Sequence, residues 1–590
     1  MDKKNFSIGV VLLLSALAAL YLAPRSAPPP PPPRSVATTA TAAGVTPAAT
    51  QPVHDHGASS QFAAASKDDA TATVTTLRND FIEARFTDSG GALRDVALRK
   101  YPAELGNPAP FVYNALHADP MLAFVQLPET LPGLDRTVRF ERVAATDTEV
   151  TYRAVLDGRI EVLRRFSLAA SAGKVTDPYQ VHYETIFRNL SSDPLPPMRV
   201  ALAVGTAAPT GANDMGEQLT TGFSTGSDQD FILRSNLEAS GGFFGLGAHD
   251  SKSSVTSPGP LVWTAVKNQF FTSILTGDEP AGGLMTRRVK LLSALPDDNL
   301  NAYGIAGAAQ FDVKAIPVKG ESRLAGNLYV GPKEYRRLAN SDVFKADQDK
   351  VMQFGFFKYF SQILLTLMTW IHGFVGNWGV AIILTTLTLK TLFIPFTLAA
   401  SRSAKRMAKL QPEMQALREK FKDNPQKQQA ATMELFKKHK VNPVGGCIPI
   451  LITIPFFMGF FTMLQSTAEL RFAPFLWARD LASEDTIAMI LGYPLNIMPL
   501  LMGATMVIQM RLTPSPSTDK MQAKMMQFMP FIFTLFCYRF SCALSLYSFI
   551  NGLFTIVQQL VINRMKDPVE APAAAPGGKA LKNVTPGKKK

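Results

Sequence analysis

The chain of 590 residues is poor in cysteine: its three thiols are Cys447, Cys537 and Cys542, and each lies in an apolar segment. A disulfide-stapled domain needs paired cysteines in its polar part, so no disulfide framework is implied there. Charge is also scarce, since 18% of the residues are charged and 46% are hydrophobic, with a mean hydropathy of +0.07. This composition fits neither an ordinary soluble enzyme nor a pure bundle of spans, and it favours a membrane part joined to a soluble part.

Residues 73–340 lack the motifs of a catalytic domain. They contain no glycine-rich phosphate loop, no metal-ligand spacing and no nucleophile motif. In place of long amphipathic helices they have short β-type runs, such as Val150–Leu156 and Ile160–Phe166, separated by turns such as Asp157-Gly158. The pattern predicts a large all-β sandwich over residues 73–340, with no enzyme activity, no cofactor and no metal site.

The most informative apolar run is Val380–Ala400, which is 21 residues long and carries one charge, Lys390, near its middle. At ~1.5 Å per residue, Ser401 lies roughly 15 Å from Lys390 along a helix, farther than a lysine side chain comfortably reaches. Thr386 and Thr397 share the face of Lys390 on such a helix. The pattern favours a hydrophilic pocket inside the membrane, and the alternative is a lysine whose ammonium group reaches the headgroups.

Apolar runs and their connections divide the chain into further predicted segments. They are an N-terminal transmembrane anchor at 1–23, a Pro/Ala/Thr-rich linker at 24–72, the β-sandwich at 73–340, an interfacial amphipathic helix at 353–375, transmembrane helices at 376–400, 443–466, 487–510, 525–540 and 541–563, a cytoplasmic helical hairpin at 401–442, a periplasmic loop at 467–486, a cytoplasmic loop at 511–524 and a basic cytoplasmic tail at 564–590.

Three of these assignments have competing readings. An uncleaved anchor is favoured over a cleaved signal peptide, because Tyr21-Leu22-Ala23-Pro24 is a poor cleavage site. Residues 353–375 could instead form a second spanning helix, with a tight turn before Trp378. His54-Asp55-His56 has a faint likeness to a metal site, and a solvated linker is the favoured reading.

Positive charge is concentrated in four segments. The helical hairpin has eleven lysines and arginines against four acidic residues, and the tail has seven against two. The N-terminus and the loop at 511–524 are also net positive. By the positive-inside rule these segments are cytoplasmic, which predicts a multi-pass protein with both termini in the cytoplasm and the β domain in the periplasm.

The helical hairpin has its own pattern. Apolar residues alternate at spacings of three and four, as in a coiled pair of helices, at Met407, Leu410, Met414, Leu417 and Phe421. Asn424-Pro425 supplies the cap and the first turn of the second arm.

Several motifs resemble those of the YidC membrane protein insertases, which have relatives in mitochondria and chloroplasts. They are GGAL and YPAEL in the β domain, GNWG at Gly376–Gly379, LQPEMQALREK at Leu410–Lys420, VNPVGGCIPILITIPFF at Val441–Phe457 and FMPFIFTLF at Phe528–Phe536. The resemblance covers nearly the whole chain and implies a polytopic α-helical protein of the bacterial inner membrane, with a five-helix insertase core. Implied partners are nascent membrane proteins, the lipid bilayer, the ribosome and the Sec translocon, with no nucleic-acid substrate.

The resemblance also implies a site. Family members have a water-containing groove with a basic residue, and Lys390 falls at that position, where many relatives have arginine. Thr386 matches a polar groove position. Residues that match the family's substrate path are Phe457, Met502, Phe536 and Tyr547, although each alone is more typical of helix packing.

The chain departs from the family pattern in its last periplasmic turn, and two other functions are alternatives to the one that the resemblance implies. The segment FSCALSLYS places Ser541, Ala543 and Ser548 where relatives have Pro, Gly and Tyr, which affects the last periplasmic turn. A small-solute transporter or channel would also explain an intramembrane lysine, but it would normally show inverted repeats or several facing ionisable groups. An anchored periplasmic enzyme or carbohydrate-binding sandwich would leave the motifs after residue 376 unexplained.

Overall fold

The computed structural model describes most of the chain between residues 63 and 564. The described residues are 63–64, 70–168, 176–211, 214–239, 250–291, 293, 295–296, 299–344, 347–422, 424–439, 448–512 and 520–564. The predicted anchor at 1–23, most of the linker and the tail beyond residue 564 lie outside them. The His54-Asp55-His56 triplet lies outside them as well.

The strands belong to four sheets. Their bounds are β1 Ala63–Ala64, β2 Val74–Arg78, β3 Ile82–Thr87, β4 Ala92–Pro102, β5 Pro110–Tyr113, β6 Glu141–Ala145, β7 Glu149–Leu156, β8 Ile160–Ser167, β9 Gln180–Asn189, β10 Met198–Ala207, β11 Thr220–Ser224, β12 Gln229–Leu233, β13 Ser254–Leu261, β14 Trp263–Lys267, β15 Phe271–Gly277, β16 Ala281–Lys290, β17 Tyr303–Val313, β18 Glu321–Pro332, β19 Thr486–Ile490 and β20 Tyr493–Asn496.

Strands β1–β18 form a large β-sandwich, as the sequence predicts. A nine-stranded sheet has the order β12-β11-β14-β15-β18-β9-β8-β7-β6, and a five-stranded sheet has the order β1-β16-β17-β10 with β13 also paired to β16. A four-stranded sheet runs β2-β3-β4-β5. Strands β10 and β17 of the second sheet pack on β14 of the first, so the two sheets share one hydrophobic core.

The strand sequences explain which faces are buried. In β9 the side chains of Val181, Tyr183, Thr185 and Phe187 alternate with more exposed ones, so one face points to the core. All five side chains of β14 are buried, because this strand is covered on both sides.

One strand lies inside the predicted linker. Ala63 pairs with Val289 and Ala64 with Lys290, in parallel with β16. The prediction of a free tether up to residue 72 is therefore wrong at these two residues, where backbone pairing overrides a composition typical of linkers.

The helices follow the sandwich. Their bounds are α1 Tyr335–Leu338, α2 Lys358–Val375, α3 Trp378–Leu392, α4 Ile394–Lys409, α5 Gln411–Lys420, α6 Pro425–Lys438, α7 Ile448–Ser466, α8 Ile497–Leu512, α9 Lys520–Phe536 and α10 Cys542–Arg564, with 3-10 turns at Arg234–Leu237, Leu300–Ala302, Gln348–Met352, Gly355–Phe357, Ala468–Leu470 and Cys537–Arg539. Helix α2 buries Leu364, Leu365 and Met368 against its neighbours, while Trp370 and Phe374 on the other side are exposed.

The GNWG motif is the turn between α2 and α3. Gly376 adopts a φ of +66° and donates its N–H to the carbonyl of His372 at 2.8 Å, which ends α2. Asn377 then caps α3, because its side chain accepts the N–H of Val380 at 3.1 Å. A side chain at Gly379 would overlap the Phe475 ring, so α3 and the loop after α7 can approach only at a glycine.

The predicted continuous helix at 376–400 is interrupted. Helix α3 ends at Leu392, and a separate helix, α4, begins at Ile394 with Pro395 in its first turn. Proline cannot donate the N–H that a continuous helix needs and clashes with the carbonyl four residues earlier. Helix α4 then continues beyond residue 400 into the segment predicted as the helical hairpin.

The predicted helix at 487–510 begins ten residues too early. Residues Thr486–Ile490 and Tyr493–Asn496 form the antiparallel pair β19–β20, and α8 begins at Ile497. The run is largely apolar, and its hydropathy alone favours a helix, although Gly492 and Pro494 in it both oppose one.

The helical hairpin has the predicted cap. The Asn424 side chain accepts the N–H of Lys427 at 3.0 Å, and Pro425 is the first residue of α6. Met407, Leu410 and Phe436 form a small buried cluster, with Met414 packed against it. The end of α4, the first turn of α5 and the end of α6 therefore pack together at the base of the helical hairpin.

Among the described residues, one helix, Cys542–Arg564, is both long enough and apolar enough to cross a membrane. Apolar helical stretches of 10–17 residues are Trp378–Leu392, Ile454–Ser466, which is part of α7, and Ile497–Leu512. The number of spans and the orientation of the termini therefore stay predictions.

Candidate functional site

Lys390 lies on α3, in contact with α10. Its Nζ donates a hydrogen bond to Oγ1 of Thr555 at 3.0 Å. Thr555 in turn donates to the carbonyl of Asn551 at 2.8 Å, one turn earlier on α10. Among the described residues, the ammonium group of Lys390 thus has a neutral partner and forms no ion pair with a carboxylate.

A second polar contact joins α10 to the helix after the break. The side-chain amide of Gln558 donates to Oγ1 of Thr397 on α4. Thr555 and Gln558 are three residues apart, so both face the α3–α4 side of α10. We call Lys390, Thr397, Thr555 and Gln558 the polar cluster.

Helix α8 adds polar side chains on another side of α10. A side chain at Gly552 would overlap the hydroxyl of Thr505 and would come within 2.8 Å of the Gln509 amide nitrogen, so the two helices approach closely there. Gln559, which is 9% exposed, donates to Asn563 at 2.9 Å. The inner part of α10 is therefore polar over several turns.

Thr386 is buried one turn before Lys390. It is 1% exposed, and its hydroxyl donates to the carbonyl of Ile382 in its own helix at 2.7 Å. The neighbouring hydroxyl of Thr385 is buried and has no hydrogen-bond partner among the described residues. Both hydroxyls lie in the interior of the helical part.

The four residues that match the family's substrate path, Phe457, Met502, Phe536 and Tyr547, differ in their burial and in their contacts. Tyr547 stacks on Phe460 with ring centroids 4.1 Å apart and lies 6.2 Å from the Phe457 ring. Met502 is 2% exposed on α8, whereas Phe536 is 60% exposed and contacts the Phe540 ring at 5.4 Å. Phe457 and Tyr547 are thus brought together.

The polar and aromatic groups share α10 at different levels. Eight residues separate Tyr547 from Thr555, so the two levels are about 12 Å apart along the helix axis. Phe457, Phe460 and Tyr547, here called the aromatic cluster, lie toward the beginning of α10, and the polar cluster lies toward its end.

Sequence reasoning missed Thr555, Gln558 and Thr505. The spacing of Asn551, Thr555, Gln558 and Gln559 gave a signal, because these polar residues fall on adjoining faces of a helix predicted to span the membrane. Among the described residues no group of three or more His, Cys, Asp or Glu side chains could hold a metal ion.

Comparison with known proteins identifies the family. Residues 74–367 match the family model described as the YidC periplasmic domain, and residues 370–569 match the one described as 60Kd inner membrane protein. The membrane protein insertase YidC of Tolumonas auensis is 30% identical over 506 residues, which are 83% of this chain and 87% of that protein. The chain belongs to the YidC family.

Another relative gives a higher identity over a shorter region. The YidC insertase of Paraburkholderia phymatum is 42% identical over 243 residues, which cover 41% of this chain and 42% of that protein. As a member of the YidC family, the chain is a membrane protein insertase of the inner membrane with a periplasmic domain, and this family is not an enzyme family. The resemblance seen in the sequence motifs is confirmed.

Solved structures give weaker likenesses. A crystal structure of an active YidC insertase with its first transmembrane domain resolved is 18% identical, covers 84% of this chain and 96% of that one, and has a TM-score of 0.32. A putative aldose 1-epimerase from Escherichia coli K12 is 12% identical, covers 44% of this chain and 99% of that one, and has a TM-score of 0.28.

Proposed function

We propose that this insertase receives the hydrophilic part of a nascent membrane protein in a groove beside α10, with Lys390 as its charged contact. The observation that carries the proposal is the hydrogen bond between Lys390 and Thr555, which sets a cation among neutral polar groups. In this proposal the apolar part of the substrate leaves into lipid along a path lined by four side chains, those of Phe457, Met502, Phe536 and Tyr547.

The physical need for such a groove follows from the bilayer. A hydrophilic segment must cross about 30 Å of hydrocarbon, where each unsatisfied backbone group costs several kcal/mol. Thr555 lies nine residues before Arg564 at the end of α10, so the polar cluster is about 14 Å from that end. A hydrated cavity reaching this depth would shorten the dry part of the path by roughly half.

Lys390 would attract acidic groups of the substrate. Its described partner is a hydroxyl, which leaves the positive charge available to a carboxylate, and a cation at this depth is weakly screened by salt. The polar atoms of Thr397, Gln558 and Gln509 could bind backbone groups of the same segment.

The proposed topology follows the distribution of charge. Six spans would place the helical hairpin and both termini in the cytoplasm, because their basic residues far outnumber their acidic ones. These basic segments would also attract ribosomal RNA and anionic lipids, and association with the Sec translocon is part of the same proposal.

Charge substitutions at Lys390 test the groove. We expect Lys390→Arg to insert substrates normally because the charge is kept, and Lys390→Ala to lose insertion of reporters with acidic translocated segments more than neutral ones. Thr388→Ala is the matched control, since Thr388 is exposed on the same helix and bonds only the carbonyl of Leu384. Insertion is measured by protease protection in vesicles.

Solvent access gives an independent measurement. A Lys390→Cys variant lacking the three native cysteines should react with a water-soluble maleimide added from the cytoplasmic side. Equal insertion of acidic and neutral reporters by Lys390→Ala, together with an unreactive thiol at position 390, would overturn the groove.

A further inference from the structure

The loop between α7 and α8 contains an apolar β-hairpin with no charged residue. It is formed by β19 and β20, residues 486–496, with the sequence TIAMILGYPLN. All five residues of β19 are exposed, including Ile487 at 52% and Met489 at 64%. Leu491 at the tip is 95% exposed. Both faces of the β-hairpin thus present apolar side chains outside the described protein core.

The turn of the β-hairpin is built around a leucine where other residues are preferred. Ile490 pairs with Tyr493, and the two residues between them have positive φ angles, +51° at Leu491 and +82° at Gly492. Two-residue turns with this geometry favour Asn, Asp or Gly, and a leucine there is conformationally costly. Leu491 therefore places an apolar side chain at the tip in a backbone conformation that leucine disfavours.

The base of the β-hairpin is fixed to the ends of the spanning helices. Asn496 donates to the carbonyl of Tyr538 at 2.9 Å, and the Tyr538 hydroxyl donates to the carbonyl of Pro494 at 2.7 Å. Tyr538 lies in the turn between α9 and α10, and α8 begins at the next residue, Ile497. The β-hairpin thus stands where three helices reach the same bilayer surface.

We propose that the β-hairpin docks its apolar tip into the interfacial region of the leaflet at which α8 begins. The part of α8 before its charged residue, Arg511, is about 21 Å long, which is shorter than the ~30 Å hydrocarbon core. The β-hairpin continues that lipid-facing surface outward. Tyr493 on β20 and Trp477 at the base are 63% and 41% exposed and suit the headgroup level.

Backbone chemistry limits the depth of docking. A two-stranded sheet has open N–H and C=O groups along both edges, and these cannot be left unpaired in hydrocarbon. The strands therefore stay where water and headgroups can bond them, while Ile490, Leu491 and Met489 reach the acyl boundary. This inference is independent of the groove, because it concerns the opposite end of α10 from the polar cluster.

Spin-label accessibility in lipid vesicles tests the docking. Leu491→Cys in a variant lacking the native cysteines is labelled with a nitroxide, and its collisions with oxygen and with a water-soluble nickel chelate are compared. We expect the oxygen-to-nickel ratio to be several-fold higher than at Lys314→Cys, a control on the β domain where the native side chain is 83% exposed. Met489→Cys serves as a second position should the tip variant fold poorly.

The other outcomes overturn the proposal. A ratio at position 491 equal to that at position 314 would place the tip in water. Low collision rates with both reagents would show that protein covers the tip, as expected for a docked partner chain. Tryptophan fluorescence supplies a check with the native cysteines in place: brominated lipids should quench a Leu491→Trp variant more strongly than its parent.

Discussion

Thr555 accepts the one described hydrogen bond of the Lys390 ammonium group. A substitution at Thr555 can therefore remove this bond and leave Lys390 unchanged. Thr555→Val keeps the shape and removes the acceptor. Because a hydrogen bond to a charged group contributes ~1.5–3 kcal/mol, we expect a lower free energy of unfolding by up to that amount, measured in detergent. Thr388→Val, on the exposed side of α3, should change stability by much less. Equal losses in both variants would contradict a special role for Thr555.

Glu469 is a second residue with an unusual environment, at the contact between the helical part and the β domain. Its Oε2 atom is fully buried and has no hydrogen-bond partner among the described residues. Burial, with a smaller contribution from the nearby Glu334 carboxylate, raises the pKa of Glu469 to about 8. Arg337 opposes this shift, and Tyr101, which donates to Glu334, also faces the group.

This pKa predicts a pH dependence of stability. The folded protein keeps a proton on Glu469 that the unfolded chain, with a pKa of about 4.3, releases. The free energy of unfolding should therefore fall as pH rises from about 4 to about 8, and level off above that. Glu469→Gln should flatten this part of a thermal stability profile, whereas Glu419→Gln on the exposed surface of α5 should not. Parallel profiles for the parent and Glu469→Gln would contradict the assignment.

At the scale of elements, two glycines near the turn between α2 and α3 provide a matched pair. A methyl group at Gly379 would overlap Phe475, while one at Gly373 would meet nothing within 4 Å. We expect Gly379→Ala to lower the melting temperature, because the loop must move away from α3. Gly373→Ala should raise stability by up to ~1 kcal/mol, since alanine is the better helix former. Thermal unfolding in detergent measures both, and the reverse order would contradict the packing.

The sequence pattern predicts the ends of helices and strands well where the polarity of the chain changes at the boundary, and poorly where it does not. Asn424-Pro425 marks a helix start in a polar segment, and the cap is present. Residues 486–510 are largely apolar and contain no charged residue, so hydropathy gives no clear boundary between the β-hairpin and α8. Pro395 lies in an equally apolar run and ends α3 by backbone chemistry that hydropathy does not register.

The candidate site was predictable on one helix and not across helices. Lys390 and Thr386 are recognisable because a charge and a hydroxyl share one face of an apolar run. Their partners depend on which helices become neighbours, so Thr555 and Gln558 could be assigned only from the packing of α10. Phe536 lies in a family motif and is nevertheless largely exposed. A position in a motif therefore does not by itself predict burial.

For the whole molecule, described contacts join the β domain to the helical part. The Arg471 guanidinium, in the loop after α7, donates to the carbonyls of Pro102 and Ala103 at 2.6 and 2.7 Å. It also lies 5.4 Å from the ring centres of Phe111 and Phe271 in the β domain. Gln269 donates to the carbonyl of Gln465 at 3.1 Å. Among the described residues the buried apolar core is also continuous from the β domain into the helical part, whereas the polar and aromatic clusters lie on the helices alone. The β domain is therefore expected to contribute to the stability of the helices more than to insertion.

Removing most of residues 73–340 while keeping α2 tests this separation. We expect insertion to continue, since the polar and aromatic clusters lie entirely on the helices after residue 376. The melting temperature of the helical part should fall, because Arg471 and Gln269 lose their bonds. Arg471→Gln in the full chain should reproduce part of that fall. A stable, correctly localised truncation that inserts no substrate would contradict the expectation.

Because the helix is broken at Phe393, α4 can rotate about this residue as a lever. One rigid rod carries Thr397, about 6 Å from the break, and Met407, about 21 Å from it. A push on the helical hairpin that swings Met407 about this pivot displaces Thr397 by roughly three-tenths as much. A swing of about 7 Å thus shifts Thr397 by about 2 Å, enough to break its hydrogen bond with Gln558. In the proposed topology, a load on the helical hairpin in the cytoplasm would therefore reach the surroundings of Lys390 as a smaller, stronger movement.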